Sequence, residues 1–164
     1  MHSTTSSNLK IKILHIALKL FLGFMLISGG MDKFKKPIPA PNKMIEQVKA
    51  GEEVAPNTEV LMIKNFFFGL KQSNYFWQFL GFAELLAGAL VLSQIFWMIG
   101  AFIALPITLN IFLFHLFLET DETGELLMTM AMLLINIWFI ISSYEKWKGI
   151  VIDKSAVQFK ATAQ

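Results

Sequence analysis

The chain has 164 residues, of which 55% are hydrophobic and only 16% are charged, and its formal net charge is +2. Soluble domains carry about 25% charged residues, so this composition excludes an ordinary water-soluble domain. The chain contains no cysteine, which excludes disulfides, thiolate-bound zinc, iron–sulfur clusters and dithiol redox chemistry. Its basic residues are all lysine and do not cluster among aromatic residues, so no nucleic-acid partner is predicted.

Four apolar stretches of about membrane-spanning length follow one another along the chain. A bilayer core about 30 Å thick requires about 20 mostly apolar residues in a helix. The third stretch contains no formal charge, and it therefore lacks the polar stripe of a soluble amphipathic helix. The sequence predicts an all-α fold, a four-helix transmembrane bundle surrounded by the lipid bilayer. A single domain covers residues 1–150, with a flexible tail over 151–164 and spans at about 11–29, 75–92, 95–118 and 126–143.

The only large extramembrane piece is the loop 31–72 between the first two spans. Within it, a short helix is predicted from Asn42 to Lys49, closed by Gly51. Residues 60–70 are apolar but too short to span, and they predict an interfacial or re-entrant helix that leads into the second span. Four spans put both termini on one side of the membrane. Lysines occur on both sides, so the positive-inside rule gives only a small bias, toward cytoplasmic termini.

Lys19 and Glu84 are ionisable residues inside the first and the second predicted span. Charges within a membrane are costly, so each is a candidate functional residue that needs a partner. The two spans run antiparallel, and glycines on their faces allow close approach. We therefore predict a contact between Lys19 and Glu84, direct or through water. Two interpretations remain open: a structural pair that fixes the helix register, or a site for a proton or a substrate.

Asn110, His115 and Asn136 complete the candidate intramembrane polar site. The two asparagines are predicted to form hydrogen bonds between helices. His115 ends a face of small residues and should point into the bundle, where its neutral imidazole can bond to a neighbouring helix or contact a quinone head group. Glu119 lies four residues further on and offers a second metal ligand. Asp121, Glu122 or Glu125 would have to complete the metal site. Two ligands do not make a site, so no metal is assigned.

The arrangement of these residues resembles the DoxX-like family of four-span membrane proteins. Lys19-x-x-x-Gly23 followed by the segment 28–34 resembles the family's first span, and residues 74–88 resemble its second. Residues 105–115, with the pattern Pro-x-x-x-Asn-x-x-x-x-His, resemble the third span of one branch. The family often has arginine where this chain has Lys19, and lysine lacks the forked geometry that favours tight carboxylate pairing.

The resemblance implies a compact four-span bundle in a bacterial inner membrane. It also implies an accessory or membrane subunit of a redox system, either quinone-linked or concerned with oxidative stress, with a redox enzyme or a second copy of the chain as partner. No residue here can carry electrons without a cofactor, so no catalytic residue is assigned, and a quinone is the one cofactor considered. The alternatives are a non-catalytic membrane scaffold or assembly partner, and a pathway for protons or a small solute.

Overall fold

The computed structural model describes residues 3–35, 40, 42–73 and 75–151, with the backbone alone for residues 3–8, 150 and 151. All regular structure within these ranges is helical, and they contain no strand. In chain order the helices are α1 (Ser3–Lys35), α2 (Lys43–Lys49), α3 (Thr58–Gln72), α4 (Phe76–Leu92), α5 (Trp97–Phe117), α6 (Thr123–Ser142) and α7 (Tyr144–Val151).

The predicted all-helical fold is confirmed, and three helices are long and apolar enough to cross a membrane. They are the Leu9–Lys35 part of α1, α5 and α6, and they indicate a membrane protein. Helix α4, the predicted second span, has 17 residues. It meets the same test only together with α3, to which it is bent by 88°. The described residues therefore contain three candidate spans, or four if α3 and α4 form one broken span.

The connection between the first two predicted spans is shorter than expected because α1 continues to Lys35. Helix α2 ends before Gly51, whose φ of 74° is the left-handed conformation that glycine adopts after a helix. The side chain of Asn57 caps α3 by accepting a first-turn backbone N–H at 2.8 Å. The predicted short helix before the second span is therefore present as α3. Residues 152–164 of the predicted tail lie outside the described residues.

Helices α1 and α4 pack antiparallel and very closely, because glycines face each other at two levels. A Cβ atom on Gly88 would lie 2.8 Å from the carbonyl oxygen of Gly23. Likewise, a Cβ atom on Gly30 would lie 2.9 Å from the carbonyl oxygen of Gly81. Small residues bring two backbones into contact where water cannot drive helices together. These two glycine pairs fix the register of α1 against α4.

Helix α5 packs against both α4 and α6, and α6 also contacts α1. Between the helices lies a layer of buried apolar side chains, whereas large apolar side chains such as Phe24, Phe79 and Leu134 face outward and are exposed. An apolar outer surface is what a lipid environment favours. The buried layer contains Leu22, Leu26, Ala87, Ala101, Ala104, Ile107, Met132 and Phe139.

The apolar layer separates two ends of the molecule. At the loop end, α1 and α5 end and α4 and α6 begin, with α3 packed beside them. At the terminal end, α4 ends, α5 begins and α6 is followed by α7. Each end has its own group of ionisable side chains.

Candidate functional site

The loop end contains a cavity of about 520 Å³ between α3 and the facing parts of α1, α4, α5 and α6. Aromatic rings form much of its wall: Phe67 of α3 lies 5.1 Å from Phe114 of α5 and 5.7 Å from Trp77 of α4, measured between ring centroids. Phe66 lies 5.5 Å from Phe114. The cavity is thus closed on one side by the helix that precedes the bend into α4. Its polar lining residues are Lys33, Glu84, Asn110, His115, Glu119 and Glu125.

A buried ion pair crosses from α1 to α4 in the wall of this cavity. The Lys33 ammonium donates to both carboxylate oxygens of Glu84, at 2.8 and 2.7 Å. The Glu84 side chain is 1% exposed and that of Lys33 is 13% exposed. The Lys33 ammonium lies 3.4 Å from the carbonyl oxygen of Gly29, and the Trp77 indole N–H donates to the Lys33 carbonyl at 3.0 Å. The two hydrogen bonds between Lys33 and Glu84, together with the Gly29 carbonyl near the ammonium, offset the cost of burying both charges.

The predicted contact between Lys19 and Glu84 is wrong, because the partner of Glu84 is Lys33. The glycine register puts Ile27 level with Glu84, so Lys19 lies about 12 Å from that level and Lys33 about 9 Å. Side chains on a helix lean toward its N-terminus. Lys33 and Glu84 therefore lean toward each other, whereas Lys19 leans away. Its ammonium lies at the terminal end, 4.1 Å from the centroid of the Trp97 ring.

His115 points inward as predicted: it is 8% exposed and lines the cavity. Its Nδ1 atom lies 2.8 Å from Glu119 Oε2 and 3.7 Å from Glu125 Oε2. At neither carboxylate does Nδ1 make an aligned hydrogen bond. The three ligand atoms lie within 4.8 Å of one another, so Glu125 of α6 is the residue that completes the triangle. One imidazole and two carboxylates are a donor set that can hold a divalent cation.

The two asparagines have different surroundings. Asn110 is exposed in the cavity wall, and the described residues offer its amide no hydrogen bond, so the predicted bond between helices is absent there. Asn136 is fully buried against α5, outside the cavity. In the amide orientation that satisfies both ends of this side chain, its nitrogen donates to the Ala101 carbonyl at 3.0 Å and its oxygen accepts from the Leu105 N–H at 3.0 Å. Asn136 therefore joins α6 to α5, as predicted.

In this orientation the Thr108 hydroxyl lies 3.1 Å from the Asn136 oxygen and 3.0 Å from the Ala104 carbonyl, and its one proton can be donated to either acceptor. This small polar network lies beside Pro106, which cannot donate a backbone hydrogen bond within α5. A side chain from α6 thus braces α5 at the proline turn. The Asn136 amide is occupied with bonds from α6 to α5, so we interpret the network as structural.

Three of the five predicted site residues, Glu84, Asn110 and His115, line one cavity, and Lys19 and Asn136 do not. Sequence reasoning missed Lys33 as the charge partner and the aromatic wall supplied by α3. The Lys33 partnership was readable from the glycines, because Gly23 and Gly30 repeat the seven-residue spacing of Gly81 and Gly88. Matching these pairs gives the antiparallel register directly.

Comparison with known proteins assigns neither a family nor a function to the chain. No protein-family model, no curated protein and no solved structure matches the chain. The resemblance to the DoxX-like family stays a prediction from the sequence.

Proposed function

We propose that the chain is a DoxX-like integral membrane protein with four spans that binds the head group of a quinone in the loop-end cavity. In this proposal it serves as an accessory or membrane subunit of a redox system. The observation that carries the proposal is the meeting of Glu84, Asn110 and His115 in one aromatic-walled cavity. A volume of about 520 Å³ lies within the range of small-molecule sites.

The residues of the cavity fit a flat apolar ring with polar oxygens on its edge. Phe66, Phe67 and Phe114 offer ring faces and edges for stacking. Asn110 offers an amide N–H₂ that no described residue accepts from, and a carbonyl oxygen is the acceptor that such a group binds. When bound, a quinone would supply the two-electron chemistry that no side chain here can perform, with the electrons coming from a partner redox enzyme.

The residues of the chain itself would bind and orient this ligand. The Lys33 ammonium is already bonded to Glu84. The pair therefore forms a fixed part of the cavity wall, and Lys33 is not a free hydrogen-bond donor. At the other side, the His115 Nδ1 atom lies 2.8 Å from Glu119 Oε2 without an aligned hydrogen bond. Asn110, which is exposed in the cavity wall, is the group that would set the orientation of a ligand oxygen.

The apolar layer argues against the alternative of a solute or proton pathway. Leu22, Leu26 and Ala87 lie between Glu84 and the terminal end and are at most 1% exposed. At the same level, the glycine contacts leave no space between α1 and α4. The buried polar side chains of this layer, Thr108 and Asn136, are bonded to each other and to α5, so a binding site that is closed at this level is the better explanation of the cavity.

Binding of decylubiquinone tests the proposal, with the quenching of tryptophan fluorescence as the measurement because Trp77 lines the cavity. We expect saturable quenching of the purified protein in detergent micelles. Asn110→Leu should weaken it about tenfold, the effect of a lost hydrogen bond. Asn65→Leu makes the same change at an exposed position of α3 and should leave binding unchanged. Absence of saturable quenching, or equal affinity of the two variants, would contradict the proposal.

The four-span arrangement has its own test, which is independent of any ligand. The chain has no native cysteine, so single cysteines can be labelled without background. Lys10→Cys and Gly149→Cys should react from the same side of the membrane, and Glu52→Cys and Glu122→Cys from the opposite side. If α4 does not cross, Lys10→Cys and Gly149→Cys will react from opposite sides, which would contradict four spans.

A further inference from the structure

A group of basic and aromatic side chains lies at the terminal end, away from the cavity. The Lys19 ammonium lies 4.1 Å from the centroid of the Trp97 ring, and the Lys146 ammonium lies 5.8 Å from the same centroid. The His15 ring packs against Trp97 at 5.2 Å and against Phe139 at 5.0 Å. Helix α1 thus contributes two side chains to this terminal cluster, and α5, α6 and α7 contribute one each, namely Trp97, Phe139 and Lys146.

The terminal cluster contains no acidic group from the described residues. No described carboxylate forms an ion pair with His15, Lys19 or Lys146. The nearest acid along the chain, Glu145, is paired with Lys148. The Lys19 and Lys146 ammonium groups face the same Trp97 ring, so their charges repel each other.

Lys19 is the informative member because it is only 7% exposed. A buried ammonium is costly unless an anion or several hydrogen bonds compensate it. The described residues give Lys19 neither, only the face of the Trp97 ring. A cation–π contact of this kind stabilises the ammonium but neutralises no charge.

We propose that the terminal cluster binds a phosphate group, held mainly by Lys19 and Lys146 beside Trp97. A phosphate anion supplies the negative charge that the cluster lacks, and ammonium groups bind phosphate as point charges. Tryptophan and lysine are residues that anchor to the membrane interface, where phospholipid phosphates lie. Leu14 and Ile141, on helices that contribute to the cluster, are more than half exposed and offer apolar surface for acyl chains.

The test uses the full chain in neutral detergent and two probes: dioctanoyl phosphatidylglycerol and inorganic phosphate. Native mass spectrometry counts bound lipid, and calorimetry measures the affinity for each probe. Lys19→Met should weaken binding about tenfold, the loss of a charge-assisted hydrogen bond, and Lys146→Met should weaken it in the same direction. Lys35→Met is the matched control, because Lys35 is exposed and paired with Asp32 at the loop end.

Binding that depends on Lys19 supports the proposal with either probe, and the two probes identify the source of the phosphate. Response to the lipid alone assigns a lipid headgroup, and an equal response to inorganic phosphate assigns a soluble anion. Lys146 lies on α7, outside the packed spans, so its variant tests the cluster even if Lys19→Met folds poorly. The proposal is overturned if neither probe binds, or if the Lys19, Lys146 and Lys35 variants all bind alike.

Discussion

The two ends of the molecule handle buried charge in opposite ways. At the loop end, Lys33 meets Glu84 across two helices, and His115 meets Glu119. At the terminal end, Lys19 is equally buried but has only an aromatic ring beside it. The chain order explains the difference, because 10 of the 11 acidic residues within the described ranges occur in 32–125 and only Glu145 follows.

Lys33 and Glu84 neutralise each other within the protein. The charge of Lys19 is neutralised by no described residue, so we expect an anion from outside the chain to neutralise it. A complete ion pair makes the loop end a fixed wall around a cavity. At the terminal end, the unpaired charge of Lys19 is expected to make the stability depend on which anions are present. The comparison predicts that removing a charge will have different consequences at the two ends.

The largest effect is expected from Glu84→Ala, which leaves the Lys33 ammonium without its carboxylate. Breaking a buried pair costs about 3–5 kcal/mol, and we expect about 3 because Lys33 lies at the end of α1 and can turn outward. The free energy of unfolding, measured by titration with SDS in mixed micelles, checks this value. Glu145→Ala is the control, since that side chain is 78% exposed and its loss should cost less than about 0.5 kcal/mol.

Replacing both partners distinguishes the pair from a mere packing effect. The double variant Lys33→Met with Glu84→Met removes both charges and keeps the volume, so its stability should return to within about 1 kcal/mol of the parent chain. The prediction is contradicted if the double variant is as unstable as Glu84→Ala, or if Glu84→Ala is as stable as the parent chain. Either result would show that an unpaired Lys33 charge does not determine the stability of the loop end.

Much of this arrangement could be predicted from the sequence, and the failures have physical causes. Three of the four predicted spans followed from hydropathy, whereas α4 meets the same test only together with α3. Glu84 and His115 followed from the cost of polar groups in lipid. The wrong partner for Glu84 came from counting residues along α1 without the direction in which side chains lean. The cavity itself could not be predicted, because it depends on how Phe66 and Phe67 of α3 pack onto Phe114, a contact between distant parts of the chain.

A smaller effect is expected from Gly88→Ala, which tests the layer that keeps the two ends in register. The added Cβ would lie 2.8 Å from the Gly23 carbonyl oxygen and 3.1 Å from the Ile27 backbone nitrogen. Backbone atoms cannot turn aside as a side chain does, so we expect a loss of about 2 kcal/mol in the same SDS titration. Gly69→Ala is the control: nothing lies within 4 Å of its Cβ position, and alanine should stabilise α3 by up to about 1 kcal/mol. Equal stability of the two variants would mean that α1 and α4 are not closely packed.

The smallest effect is expected from Lys19→Met, whose free energy of unfolding, extrapolated to zero SDS in neutral detergent micelles, should lie within about 0.5 kcal/mol of that of the parent chain. Methionine retains the apolar stem that packs between the helices. Loss of the cation–π contact with Trp97 is offset by removal of a buried charge that no described residue neutralises. The SDS titration that gives about 3 kcal/mol for Glu84→Ala should therefore detect almost nothing here. A loss of 2 kcal/mol or more would mean that Lys19 has an internal partner, and the contrast between the two ends would not hold.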